Sequence, residues 1–239
     1  SDVTREEQRP KVMAVIGMCI GMSFAVALVL GPMIAKSYGL SGVFFVTAVM
    51  ALVGIVIVLT LVPVSYTRAR SGEVTATSGK LFKMLLHPQL LRLDFGVLAL
   101  HMMMTSLFIA LPIQLTQAGL GIELHWQVYL PVLFLSFVFM VPMIIIAAKR
   151  SLEKRMFLLA IGMAVLASMG MMLSGHLWWL IATLFVFFVG FNFLEASLPA
   201  HVSRLSPAGQ KGSAMGVYSS SQFIGAFLGG ITGGYLVQE

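Results

Sequence analysis

Seven apolar stretches, each 19 to 25 residues long, alternate with short polar segments along this chain: 13–36, 41–63, 93–117, 126–148, 156–174, 177–199 and 213–236. A helix rising 1.5 Å per residue needs roughly 20 apolar residues to cross the hydrocarbon of a bilayer. The pattern therefore predicts seven membrane-spanning α-helices. The outer connections, 37–40, 118–125 and 175–176, are short and leave no room for an extracellular domain.

The first and last stretches are related. Gln8-Arg9 returns as Gln210-Lys211, Met13 and Val15 as Met215 and Val217, Ala27 and Gly31 as Gly229 and Gly233. The offset is 202 residues, with five further spans between the two copies, so the repeating unit is six helices long. Duplicated six-helix halves are a common way of building secondary transporters.

Charge fixes the orientation. Arg5, Arg9 and Lys11 precede the first span, and Arg68, Arg70, Lys80, Lys83 and Arg92 lie between the second and third. Lys149, Arg150, Lys154 and Arg155 follow the fourth, and Arg204 and Lys211 follow the sixth. With alternating spans these fourteen of 15 basic residues share one side, and Lys36 falls on the other. The positive-inside bias makes the shared side cytoplasmic. Trp126, Trp178 and Trp179 fall where the chain re-enters from outside, as an interfacial belt requires. The net charge of +6 is then an inner rim facing anionic lipid, and no nucleic-acid partner is expected.

Composition agrees: 59% of residues are hydrophobic and 10% charged, against roughly 25% charged in soluble domains. Lipid is the expected solvent. Cys19 is the single cysteine, so there is no disulfide framework, and no cofactor or metal set is expected. The chain opens on Ser1 without a methionine or signal peptide, and it reads as a piece of a longer protein. If its first span is the fifth of a six-helix half, four helices lie upstream and one downstream.

Three regions follow. Residues 1–63 form the end of an N-terminal bundle with two helices. Residues 64–92 are a cytoplasmic linker, flexible over Ser71 to Ser78 and basic and amphipathic from Lys80 to Leu93, fit to lie on the inner surface. Residues 93–239 form five helices of a C-terminal bundle.

Small residues recur every fourth position in two helices. Ala27, Gly31 and Ala35 do so in the first span, with Pro32 beside Gly31, and Gly225, Gly229 and Gly233 in the last, with Gly230 and Gly234 alongside. This spacing lets two backbones approach closely in lipid. Static packing and a bend at a moving interface both use it, and its appearance in both copies favours the moving interface. The first helix is expected to pack on the opposite half through Ala27, Gly31 and Ala35.

Gly31-Pro32 in this place resembles the antiporter motif of the major facilitator superfamily, G-x-x-x-G-P-x-x-G-G. Ala27 replaces its first glycine and Ala35-Lys36 its last pair. FNFLEASLPAHVSR (191–204), KGSAMGVYSSSQFIGAFLGG (211–230) and LFKMLLHPQLLRLDFG (81–96) are similar to the corresponding stretches of bacterial members. Between Ile145 and Arg155, Arg150, Lys154 and Arg155 keep the basic character of the superfamily's loop motif, while Lys149 and Leu152 replace its Asp and Gly. The resemblance implies an all-α major facilitator bundle, with helices five to eleven of twelve present. It also implies a proton-linked, exporter-like transporter of the bacterial inner membrane that acts as a monomer. The partners implied are lipid, a proton and a small-molecule substrate.

Ionisable side chains inside spans are costly and mark pairs or functional sites. Glu195, one turn before Pro199, is expected near the inner end of its span. Its expected partner is Arg204 or a loop lysine, as an interfacial pair or a gate latch. His101, about two turns into its span, has an ordinary pKa of about 6.5 suited to proton handling; a satisfied helix histidine is the simpler reading. Asp94 beside Arg92 reads as an interfacial pair. Gln114, Asn192, Ser219, Ser220, Ser221 and Gln222 either line a cavity or bridge helices. The 17 methionines, with Met102, Met103 and Met104 in a row, read as packing filler or as an adaptable apolar lining.

No HExxH, CxxC, GxSxG or P-loop is present, so no enzyme chemistry and no route to ATP hydrolysis is legible. A seven-helix retinal receptor needs a lysine deep in a helix, and there is none. A haem protein needs a second in-membrane histidine beside His101. The reading that remains is a secondary transporter working by alternating access, with proton-coupled efflux of small amphipathic or apolar compounds. Uptake or exchange of a small polar metabolite is the alternative.

Overall fold

The computed structural model describes residues 9–61, 86–207 and 210–238, without the side chains of 9–22, 24, 25, 28, 29 and 238. Most of the linker, 64–85, lies outside the described residues, as do Arg5, Arg68, Arg70, Lys80 and Lys83. Every long element among the described residues is an α-helix.

The chain forms two compact units, 1–68 and 69–239. The first contains α1, Arg9–Leu61, which is broken at Gly39. There φ is 66° and ψ −173°, a conformation that glycine adopts without the clash a Cβ brings. The break falls inside the predicted 37–40 connection, so α1 is two helices meeting end to end. Pro32 lies within the first of them, and the helix continues through it.

The second unit holds α2 (Pro88–Gln117), a short 3-10 turn (Ile122–Leu124), α3 (Trp126–Lys149), α4 (Glu153–Met171), α5 (Leu177–Leu205) and α6 (Lys211–Gln238). The helices overrun the predicted spans mostly at their inner ends. α2 begins five residues early, with Pro88 in its first turn, where the missing N–H costs nothing. α5 runs through Pro199 to Leu205. Proline is tolerated within membrane helices because neighbouring groups re-satisfy the freed carbonyl.

Four helices of this unit are long and apolar enough to cross a membrane: α2, the segment Ile122–Lys149 that contains α3, α4 and α5. Within α1 the same holds for Leu30–Leu61. α6 matches them in length at 28 residues and carries seven glycines and four serines.

α5 is the hub, in contact with α2, α3, α4 and α6. Of its apolar stretch 61% is buried inside the bundle, against 28% for α2, α3 and α4. Phe187, Phe188 and Phe191 fill the centre with edge-on and stacked contacts at 5.5 to 6.0 Å. Such aromatic pairs contribute about 0.5–1.5 kcal/mol each beyond their area. On its far side α5 meets α4 at Gly190, where a Cβ would stand 2.6 Å from the Ala160 carbonyl oxygen. Ala160, Ala164 and Ala167 keep that seam thin.

α2 and α6 pack most intimately. Gly225, Gly229 and Gly233 lie against the backbone of Leu98, Met102 and Ser106 in that order, so the two helices run parallel. Ser106 Oγ donates to the Gly229 carbonyl at 3.0 Å. The glycine spacing in the last helix is therefore spent on packing within its own bundle. In α1 a Cβ at Gly31 would meet nothing within 4 Å in its own unit.

Candidate functional site

Three parallel or antiparallel helices bring one polar cluster together. His101 comes from α2, Glu195 from α5 and Gln222 from α6. Helix length sets the depth. His101 is nine residues from Arg92, Glu195 nine from Arg204 and Gln222 eleven from Lys211. At 1.5 Å per residue the cluster sits ~13–16 Å inward from the basic inner rim. That distance is about half of a hydrocarbon core of roughly 30 Å.

The bonds are specific. His101 Nδ1 lies 3.2 Å from the Val97 carbonyl one turn back. A carbonyl only accepts, so Nδ1 carries the proton of the neutral ring and Nε2 is left as acceptor. Gln222 Nε2 is 2.8 Å from His101 Nε2 and 3.3 Å from Glu195 Oε1, so one amide group donates to both. Glu195 Oε2 is 3.7 Å from His101 Nε2 and has no hydrogen-bond partner among the described residues. His101 is 7% exposed, while the Glu195 side chain is 37% exposed. The histidine is thus anchored in the bundle, and Glu195 is partly exposed along its side chain while its Oε2 is shielded. Phe191 packs on the imidazole at 5.7 Å.

This arrangement has two protonation states with different bonding. With Nε2 unprotonated, the ring accepts from Gln222. With Nε2 protonated, it cannot accept, the Gln222 donor is displaced, and the nearest new acceptor is Glu195 Oε2. A proton arriving here exchanges a Gln222–His101 bond for a His101–Glu195 ion pair and so alters contacts among α2, α5 and α6 at once.

Two more buried polar residues stand just inward. Asp94 on α2 is 6% exposed and Tyr218 on α6 is 3% exposed. Asp94 Oδ1 and the Tyr218 hydroxyl have no hydrogen-bond partner among the described residues. Asp94, near Arg92 in sequence, is thus enclosed and not a rim residue.

The other expected residues go elsewhere. Asn192 donates to Ser136 Oγ at 2.8 Å, and Ser136 donates to the Leu133 carbonyl, tying α5 to α3. Gln114 is half-buried on α2, thirteen residues outward of His101 or ~20 Å along the helix. A Cβ at Gly234 would meet nothing within 4 Å. Arg150, Lys154 and Arg155 are exposed at the inner α3–α4 turn, where Ser151 has φ 52°. Ala27, Pro32 and Ala35 are exposed on α1 within its own unit.

The expected Glu195–Arg204 pair does not form. Arg204 Nη1 donates to both carboxylate oxygens of Glu153 at 3.2 and 3.3 Å, joining the inner ends of α4 and α5. The misplacement came from reading Pro199 as the helix end. The helix continues six residues further, which lifts Glu195 about 15 Å from that end. Both partners of the Arg204 pair are largely exposed, at 66% and 44%. Arg204→Ala should therefore cost under about 1 kcal/mol, as exposed pairs do. A thermal melt showing a much larger loss would mean the pair clamps the inner ends.

The sequence profile of the Major Facilitator Superfamily matches residues 1–230. The chain is 42% identical over 237 residues to the inner membrane transport protein YajR of Escherichia coli K12, covering 99% of this chain and 52% of that protein. It is 34% identical over 232 residues to an uncharacterized transporter of Buchnera aphidicola subsp. Acyrthosiphon pisum, covering 96% of this chain and 59% of that one. A similar protein of Buchnera aphidicola subsp. Schizaphis graminum is 32% identical over 99% of this chain and 61% of its own length. The chain spans between about half and three-fifths of the length of these relatives. No solved structure matches it significantly.

Proposed function

From its place in the Major Facilitator Superfamily, to which the chain belongs, we propose that the whole protein is a proton-coupled transporter of the bacterial inner membrane. It exports small amphipathic or apolar compounds by alternating access. The observation that carries this is the acid–base pair of His101 and Glu195, 3.7 Å apart and bridged by Gln222 inside a lipid-embedded bundle. Ionisable groups at such depth serve proton relays and ion paths more often than packing.

The proton and the conformational change are linked through the bond exchange described above. A ligand shifts a conformational equilibrium only by its differential affinity for the two states. Here the ligand is the proton, and the differential lies in which partner His101 Nε2 takes. The absence of a nucleotide-binding motif supports gradient coupling as the energy source. The resemblance of Gly31-Pro32 to an antiporter motif supports export, and the name of the Escherichia coli relative supports the inner membrane. The apolar, methionine-rich spans support an apolar cargo.

In proteoliposomes holding the full-length protein, accumulation of an amphipathic dye such as ethidium should vanish when the pH gradient is collapsed with nigericin. Accumulation that persists without any ion gradient, or that needs ATP, would contradict the proposal.

A further inference from the structure

We propose that Asp94 and Tyr218 form the inner, proton-conducting leg of the cluster, linking Glu195 to the cytoplasmic rim through their buried oxygens and bridging water. The inference rests on the reading that the cluster exchanges a proton.

Three oxygens carry it. Asp94 Oδ1, the Tyr218 hydroxyl and Glu195 Oε2 are each shielded from solvent and each without a hydrogen-bond partner among the described residues. Orphaned buried polar atoms are uncommon; the fourth among the described residues, the Tyr129 hydroxyl, belongs to the outer end of α3 beside Phe108 and His125, while these three come from the inner halves of α2, α5 and α6. They are also close along the helices. The parallel register of α2 and α6 agrees. Gly225 lies against Leu98, an offset of 127, which sets Tyr218 level with Leu91, one turn inward of Asp94. Gln222 is one turn outward of Tyr218 on the same helix face, and it already holds Glu195. The polar groups thus rise from the inner end of α2 to the cluster in turn-sized steps.

The chemistry of these groups suits conduction. A phenol hydroxyl both donates and accepts, so it takes a proton on its lone pair while passing its own onward and ends unchanged. A buried carboxylate beside it holds the proton in transit. Orphaned polar groups of this kind are ordinarily satisfied by bound water, which completes the chain. The titratable groups facing the path come from two helices besides α5: Asp94 and His101 from α2, and Tyr218 from α6. α4 meets α5 through Ala160 and Ala164 and, at the inner end, through the Glu153–Arg204 pair and Phe157 against His201, and α3 offers Ser136, which is occupied by Asn192.

A stopped-flow pH drop on the full-length protein in detergent micelles, with proton uptake followed by an indicator dye, tests this without knowledge of the substrate. Wild-type uptake should contain a component that Glu195→Gln lacks. Tyr218→Phe should keep the amplitude of that component and slow it about tenfold, the effect of one lost hydrogen bond on a barrier. Asp94→Asn should slow it similarly, and Asp94→Glu should restore it. Uptake in Tyr218→Phe and Asp94→Asn at the wild-type rate, with the Glu195 component intact, would overturn the relay alone. Loss of amplitude in Tyr218→Phe would make Tyr218 a support of the cluster and overturn the relay as well. If wild type and Glu195→Gln take up protons identically, the cluster does not exchange a proton and the reading beneath the relay falls with it.

Discussion

Gly225→Leu should leave little folded C-terminal bundle. A Cβ there would overlap the Leu98 carbonyl, and the obstructing atoms are backbone on a rigid helix, with no flexible side chain to turn aside. Overpacking typically costs about 1–3 kcal/mol where neighbours give way. Here α2 would have to part from α6, which also takes with it the Ser106–Gly229 bond and the placement of His101 against Gln222. The cost should reach about 3 kcal/mol or more. Gly234→Leu is the matched control: it has the same helix, the same residue change and open space around its Cβ. Gel filtration and thermal melts of the two variants should differ sharply, with Gly225→Leu aggregated or strongly destabilised and Gly234→Leu close to wild type. Equal behaviour would show that α2 and α6 do not meet through these glycines.

Glu195→Gln should abolish proton coupling while sparing the fold. The amide keeps the shape and still offers an oxygen to the Gln222 donor, so stability should move by less than about 1 kcal/mol. What disappears is the carboxylate that pairs with protonated His101. His101 Nε2 then has no carboxylate to turn to, and the bond exchange among α2, α5 and α6 has no charged end state. Groups that hold or pass a proton in a rate-limiting step are typically worth 10²–10⁴-fold, so gradient-driven flux in proteoliposomes should fall about 100-fold or more. Flux within a few-fold of wild type would remove Glu195 from the coupling step.

The helical architecture was legible because lipid imposes it. Each span must satisfy its own backbone, so apolar length and basic rims are strong signals. The break at Gly39 and the five helices of the second unit fall where those signals put them. The inner helix ends were not legible. Proline at 199 reads as a stop in water, whereas α5 passes through it. That one error displaced Glu195 toward the rim and assigned it to Arg204, when Arg204 in fact pairs with Glu153.

The candidate site was visible only in pieces. His101, Glu195 and Gln222 each stood out as polar groups in apolar helices, but nothing in their spacing joins them. They are separated by 94 and 27 residues and meet only through packing. The glycine repeat of α6 is the sequence signal that bears on two of them. It fixes the α2–α6 register that sets Gln222 beside His101. Tyr218 carries no signal in the sequence, since one tyrosine near a helix end is ordinary until burial without a partner sets it apart.

The most direct test of the account is infrared difference spectroscopy of the full-length protein, titrated from mildly alkaline to mildly acidic pH. If His101 takes the coupling proton and turns to Glu195, imidazolium bands should appear with acidification in wild type and be lost in His101→Gln, with a matching shift of a carboxylate band that is missing in Glu195→Gln. Imidazole bands that do not change with acidification, or that change identically in wild type and His101→Gln, would contradict the claim that this cluster is where the proton binds.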